Sequence, residues 1–204
     1  MKHVVDYFFT PSSPWTYLGH RRFMEIAERN DVAINVKPMD LSSKVFPVSG
    51  GLPVAERPKQ RLSYRLIELR RWSAYLGMPL NLTPAVFPVA TDLAARMIVA
   101  ADMMRGSQCA LEFAARVLAG VWTENRNIAA EETLVEIAEA AGLEGDAAVS
   151  VASEVTVRER YAGYTQEAIE RQVFGAPSYI FRDEPFWGQD RLEFLERSLV
   201  SARP

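Results

Sequence analysis

Strands and helices are predicted in an order that leaves few folds open. The apolar run VVDYFF (Val4–Phe9) has the length and the β-branched and aromatic residues of a strand, and Pro14 suits the first turn of a helix that continues to about Glu28. Alternating apolar residues in 32–38 predict a second strand. Because strand–helix–strand units form right-handed crossovers between parallel strands, residues 4–38 are expected to begin an α/β sheet.

The rest of the chain is predicted to be helical in the middle and to return to strands at the end. Residues 41–60 are rich in Gly, Pro and Ser and predict a long loop. Periodicity and capping residues predict helices at 60–76, 91–105, 107–122, 131–141 and 145–174, the last of them broken near Gly163. Two short strands, SYIF and PFWG, are expected next, and Asp190 is expected to cap a final helix over 191–200.

This βαβ…ββα order is typical of an α/β, thioredoxin-like domain with an all-helical insertion domain. The sequence predicts that residues 1–42 and 168–204 form the thioredoxin-like domain and that 43–167 form the helical insertion. Gly175-Ala176-Pro177 precedes the third strand, where this fold places a cis proline facing the first helix. Ser13-Pro14-Trp15-Thr16 lies at the start of the first helix, where redox-active members carry Cys-x-x-Cys.

The composition excludes several classes of function. A net charge of −3 provides no basic field for nucleic acid or anionic lipid, and no run of apolar residues is long enough to predict a membrane span. The single cysteine, Cys109, and the lack of a recognisable signal peptide favour a cytoplasmic location. Only two histidines are present and they lie on different elements, so no metal site is expected.

Three motifs, in this order, resemble the 2-hydroxychromene-2-carboxylate isomerase family, a branch of the DsbA-like proteins close to kappa-class glutathione transferases. They are FFTPSSPWTY (8–17), GAPSYIF (175–181) and FWGQDRL (186–192). The helical block, with VWTENRNIA (121–129), is also similar, so the resemblance covers nearly the whole chain. It implies a glutathione-dependent isomerase of an aromatic-breakdown acid and a homodimer.

The resemblance also implies how glutathione is bound. Ser13 would hold the glutathione thiolate, the backbone of Ala176 beside Pro177 would pair with the tripeptide, and Asp190 and Arg191 would meet its γ-glutamyl end.

The loop that precedes the second predicted helix departs from the kappa-class pattern. Relatives of the kappa type often have an asparagine near SGGLP, where this chain has Gly51. Lys59 is the candidate that would supply the charge of this loop.

The residues around Ser13 leave two roles open and disfavour a third. A nucleophilic serine needs a base within hydrogen-bond reach, but His20 lies seven residues along the same helix, about 10 Å away, and His3 is at the far end of the first strand. Ser13 is therefore interpreted either as a helix cap or as a group that holds an anion. Ser12 is an alternative for the second role.

Holding an anion would suffice to activate a thiol. A free thiol has a pKa of about 8.5, a helix N-terminus favours an anion by about 0.3–2 kcal/mol, and a hydrogen bond to a charged group adds about 1.5–3 kcal/mol. Because one pKa unit corresponds to about 1.4 kcal/mol, the two effects together predict a thiol pKa lowered by about one to two units or more.

The leading hypothesis is therefore an isomerase that works by reversible thiolate addition, with Trp15 and Phe87 in the pocket of the acid. A kappa-like transferase or peroxidase and a non-catalytic binding protein of thioredoxin fold are the alternatives. Disulfide exchange is disfavoured because Ser13 and Thr16 occupy the positions of the two cysteines.

Overall fold

A four-stranded mixed sheet organises the two ends of the chain. The computed structural model describes residues 3–202. The strands are β1 (Val4–Phe9), β2 (Ala33–Pro38), β3 (Ser178–Phe181) and β4 (Glu184–Trp187), in the order β2-β1-β3-β4. β1 and β2 are parallel, whereas β3 is antiparallel to β1 and to β4. The expected thioredoxin-like arrangement is confirmed.

The helices lie close to their predicted bounds. They are α1 (Pro14–Arg29), α2 (Phe46–Ser49), α3 (Lys59–Leu76), α4 (Asp92–Arg105), α5 (Ser107–Trp122), α6 (Glu131–Ala140), α7 (Gly145–Ala152), α8 (Val155–Glu170) and α9 (Leu192–Ser201). A π-helix (Leu41–Val45) and two 3-10 turns (Val54–Glu56 and Gln189–Arg191) complete the regular structure. The segment predicted as one long loop, 41–60, therefore contains short helical turns.

One predicted helix break was placed wrongly. The predicted helix 145–174 is instead two helices, which part at Ser153 and Glu154 and end at Glu170, and Gly163 lies inside α8. The interruption has a local cause, because the chain at Ser153 bonds back to α7 while Glu154, in an extended conformation, begins the next helix. A single exposed glycine lowers helix stability only modestly and does not by itself end a helix.

The sheet and the helical block share one hydrophobic core. Aromatic residues of β1 and α1, such as Phe9 and Phe23, belong to the same buried cluster as Ile98 of α4 and Phe113 of α5. Tyr7 stacks between Phe9 and Tyr179, with ring centroids 4.5 and 5.3 Å away. The domain boundaries drawn from the sequence stay a prediction.

A network of charged side chains fastens α8 to the sheet. The ammonium of Lys37 on β2 lies 2.8 Å from a carboxylate oxygen of Asp6 and 2.6 Å from one of Glu167. Arg171, just beyond α8, pairs with Asp6 and with Asp183. Burial raises the pKa of Asp6, but hydrogen bonds from Lys37 and Asn35 outweigh it, and the pKa is held below its usual value.

Two kinds of feature are absent from residues 3–202. None of their helices has the length and apolarity to cross a membrane. In the same range, no three His, Cys, Asp or Glu side chains are grouped so that they could hold a metal ion.

Candidate active site

Ser13 lies at the junction between β1 and α1 and caps the helix. Its hydroxyl oxygen accepts a hydrogen bond from the Thr16 N–H at 3.1 Å, and its backbone is extended, as an N-cap residue requires. The capping role considered for Ser13 is therefore present. The hydroxyl is not restricted to capping, because its own proton is donated to a different group, the Ala176 carbonyl oxygen.

The hydroxyl of Ser13 also reaches across to the segment that precedes β3. It donates to the Ala176 carbonyl oxygen at 3.4 Å, a long distance for an O–H···O hydrogen bond. The bond between Ala176 and Pro177 is cis, as the sequence predicts. The fold thus brings Ser13 next to Ala176 and Pro177, from which it is separated by more than 160 positions in the chain.

Open backbone donors surround this contact. Pro14 has no N–H, and within residues 3–202 the N–H groups of Trp15 and Ala176 take part in no hydrogen bond. The N-terminus of α1 adds the positive end of its dipole. A short anion placed next to Ser13 would therefore meet a hydroxyl and unpaired N–H groups.

The turn that carries Asp190 and Arg191 follows the cis proline closely in space. The Gly188 N–H donates to the Pro177 carbonyl oxygen at 2.9 Å, which holds the 3-10 turn beside Ala176. The carboxylate of Asp190 forms an ion pair with Arg191 at 2.9 Å and remains partly exposed. Both predicted γ-glutamyl contacts are thus near the other site residues.

The prediction that Asp190 caps the last helix is wrong. The helix α9 begins at Leu192, its N-cap position is Arg191, and no side chain makes a cap hydrogen bond there. Asp190 lies inside the preceding 3-10 turn, and its carboxylate folds over Gly188, where an added Cβ would come within 2.5 Å of Oδ1. Because of this 3-10 turn, α9 begins one residue later than predicted. The Asp190 carboxylate pairs with Arg191 instead of capping the helix.

An aromatic wall lies beside the strand–helix junction. The Phe87 ring packs on Trp122 with centroids 4.9 Å apart, and the Trp122 indole N–H donates to the Ser12 carbonyl oxygen at 3.2 Å. Phe87 is therefore linked through Trp122 to the residue next to Ser13. Trp15 is half-buried against the main core, one position into α1.

Lys59 is not joined to this group by any contact among the described residues. It is the first residue of α3, and its side chain is exposed. The neighbouring loop is closed by other contacts, since Arg57 donates to the Leu52 carbonyl oxygen at 2.8 Å.

The structure supplies a reason for glycine at position 51. An added Cβ there would lie 2.0 Å from the Phe46 ring, so any side chain would expel that ring from its place against the backbone.

His20 lies inside the protein and takes no part in the site. Its Nε2 donates to the Leu111 carbonyl oxygen and its Nδ1 accepts from the Tyr7 hydroxyl, both at 2.9 Å. Burial lowers its pKa to about 4, against a smaller opposing effect of the Leu111 hydrogen bond. His20 is thus held neutral, with both ring nitrogens occupied.

The comparisons with known proteins agree with this geometry. A family model described as a DSBA-like thioredoxin domain matches residues 4–200. A 2-hydroxychromene-2-carboxylate isomerase from Pseudomonas putida is 30% identical over 196 residues, which are 96% of this chain and 94% of that protein. The chain belongs to the 2-hydroxychromene-2-carboxylate isomerase family of DSBA-like thioredoxin domains.

A solved structure and a more distant relative extend the comparison. The structure of a 2-hydroxychromene-2-carboxylate isomerase superposes with a TM-score of 0.82 at 29% identity, covering 97% of this chain and 95% of that one. Human glutathione S-transferase kappa 1 is 22% identical over 211 residues, covering 98% of this chain and 92% of that protein.

Three residues near the site are absent from the sequence-based predictions. Trp122 is fully buried and reads as an ordinary core residue. Gln189 is buried as well, and Arg22 donates to its side-chain oxygen at 2.8 Å. For Arg65, by contrast, the sequence does contain an indication. Arg65 lies three residues after Leu62 and four before the buried Leu69, and is therefore a charged residue within the apolar side of α3.

Proposed function

We propose that the protein is a glutathione-dependent isomerase of 2-hydroxychromene-2-carboxylate or a related unsaturated acid. The observation that carries the proposal is the Ser13 hydroxyl, which lies at the α1 N-terminus and 3.4 Å from the carbonyl oxygen before Pro177, in a chain whose relatives are named as such isomerases. The kappa-class relative, whose name includes glutathione, supports that cofactor.

The residues present fit a glutathione molecule. Bound there, glutathione would supply a thiolate that adds to the conjugated double bond of the acid and later leaves, so that the bond can rotate in between. The hydroxyl of Ser13 has to exchange only one long hydrogen bond, to the Ala176 carbonyl oxygen, to donate to a sulfur instead. Its acceptance of the Thr16 N–H would persist.

Other groups of the chain have separate tasks in this proposal. The unpaired N–H of Ala176 would bind the extended backbone of the tripeptide, as in strand addition. Asp190 would accept hydrogen bonds from the γ-glutamyl ammonium, and Arg191 would pair with its carboxylate. A contribution of Lys59, a cytoplasmic location and a homodimer stay predictions.

Binding and ionisation of glutathione test the proposal directly. Titration calorimetry should show saturable binding in the millimolar range or below, and the thiolate absorbance near 240 nm should titrate at lower pH in the complex than in free glutathione. The wild-type enzyme should then isomerise the chromene acid only when glutathione is present. Absence of saturable binding would contradict the proposal.

Glutathione transfer is the second candidate because of the similarity to the kappa-class protein. Turnover of chlorodinitrobenzene with glutathione, without isomerisation of the chromene acid, would favour this function.

A further inference from the structure

Arg65 is a half-buried cation without an anionic partner among residues 3–202. Its Nη2 atom is inaccessible to solvent and has no hydrogen-bond partner in the structure, and no ion pair involving Arg65 is found within residues 3–202. Buried charged groups are normally paired, because an unpaired one loses its hydration without compensation. The Nη2 of Arg65 is an exception, and an anionic ligand would supply the missing hydrogen-bond acceptor.

Two aromatic rings enclose the guanidinium. Its central carbon lies 5.5 Å from the centre of the Phe87 ring and 5.7 Å from that of Trp122. These contacts stabilise the positive charge, but they provide no hydrogen-bond acceptor. The flat guanidinium and the two rings thus form a cage whose accessible ring is the half-buried Phe87, because Trp122 is fully buried. This face suits a planar, conjugated group with a negative end.

The local charge strengthens the attraction for an anion. Arg57 and Arg61 precede Arg65 by eight and four residues, and the charge of Arg57 acts on Arg65. Burial lowers the pKa of Arg65 to about 10, and the charge of Arg57 contributes further. At neutral pH Arg65 therefore remains protonated among other cations.

The cage adjoins the candidate active site. Trp122, which forms one of its walls, donates its indole N–H to the carbonyl oxygen of Ser12, the neighbour of Ser13. A ligand held over Phe87, which packs on Trp122, would therefore extend toward the junction at which the thiolate is expected.

We propose that Arg65 binds the carboxylate of the acid substrate and that Phe87 packs against its conjugated part. The identity of the acid rests on the proposed function, whereas the site itself rests on Arg65 and its cage. Glutathione also carries carboxylates, but its flexible, saturated backbone has no group that matches an aromatic ring face. We therefore assign the cage to the acid, and the experiment also tests whether glutathione binds there instead.

The test uses cinnamate, an unsaturated aromatic carboxylate, and its neutral counterpart cinnamamide, with titration calorimetry on the full-length protein. Arg65→Gln should weaken cinnamate binding about ten- to hundredfold, the effect of losing hydrogen bonds to a charged group. Arg65→Lys keeps the charge but not the planar fork and should give an intermediate loss. Arg70→Gln removes an exposed charge from the same helix and should bind cinnamate like wild type.

Two further measurements separate this inference from its rivals. Cinnamamide should bind wild type and Arg65→Gln equally, and glutathione affinity should be the same in both proteins. Circular dichroism confirms that each variant is folded. Wild-type cinnamate affinity in both folded Arg65 variants, a loss of glutathione affinity alone, or no binding of cinnamate to wild type would overturn the assignment. Arg65-dependent cinnamate binding in a protein that fails to bind glutathione would uphold it while contradicting the proposed function.

Discussion

At the scale of single residues, the two roles of Ser13 can be separated by substitution. Ser13→Ala removes the cap of Thr16 and should lower the free energy of unfolding by about 1 kcal/mol, whereas Ser13→Gly should cost only a few tenths. Both variants lose the hydroxyl equally, so both should raise the pKa of bound glutathione to the same extent. Denaturant unfolding and the thiolate absorbance measure the two effects, and an unchanged pKa would leave Ser13 as a cap alone.

The same residues show what a sequence can and cannot reveal. Ser13 and Pro177 were predicted from local context, because a Ser-Pro step marks a helix start and a proline before a short strand marks the facing segment. Their 3.4 Å link through Ala176 depends on how the ends of the chain meet. Arg65 draws attention because its Nη2 has no hydrogen-bond partner, and a missing partner can be recognised only when the surrounding side chains are in place.

At the scale of elements, α1 must approach the turn that carries Asp190 very closely at Gly19. A Cβ added at Gly19 would lie 2.8 Å from the Gln189 Cβ and 3.0 Å from the Tyr179 hydroxyl. Gly19→Ala should therefore lower the free energy of unfolding by about 1–3 kcal/mol, as overpacking does, and weaken glutathione binding by displacing the turn. Thermal and denaturant unfolding, with calorimetry, measure both.

A matched control for this substitution lies in α8. Gly163 is also inside a helix, but nothing lies within 4 Å of an added Cβ. Gly163→Ala should raise the free energy of unfolding by about 0.5–1 kcal/mol because alanine favours the helix. Equal effects of the two substitutions would contradict the close approach at Gly19.

The sequence predicted which helices exist more accurately than the residues at which some of them begin and end. Helices α3 to α5 follow from strong apolar periodicity, and the structure moves their bounds by no more than one residue. The breaks at Ser153 and before Leu192 arise from backbone hydrogen bonds and a 3-10 turn, which no residue type there specifies.

At the scale of the whole molecule, Lys37 joins the helical block to the sheet. The side chain is 11% exposed and contacts carboxylates from both parts, so Lys37→Met would leave Asp6 and Glu167 near each other with less compensation. We expect a loss of about 1–3 kcal/mol in the free energy of unfolding, less than for a fully buried pair because Arg171 remains. Arg71→Met, which breaks an exposed pair with Glu68, should cost less than about 0.5 kcal/mol.

Global stability should also depend on His20 in mildly acidic solution. Its pKa falls from 6.5, the usual value, to about 4 in the folded protein because the ring is buried. Between these two pH values the unfolded chain binds more protons than the native one, so stability declines as the pH falls through this window. The loss should approach about 3 kcal/mol at pH 4, since each pKa unit contributes about 1.4 kcal/mol.

Substitution identifies the histidine that causes this decline. Asp6, whose pKa is held below 3.8, loses its contribution at lower pH and therefore lies outside the window. His20→Gln should unfold more easily at pH 7, because the Tyr7 and Leu111 contacts are disturbed, yet it should lose less stability between pH 6.5 and 4.5. Urea unfolding at several pH values measures this difference, and a full decline in His20→Gln would place its cause elsewhere.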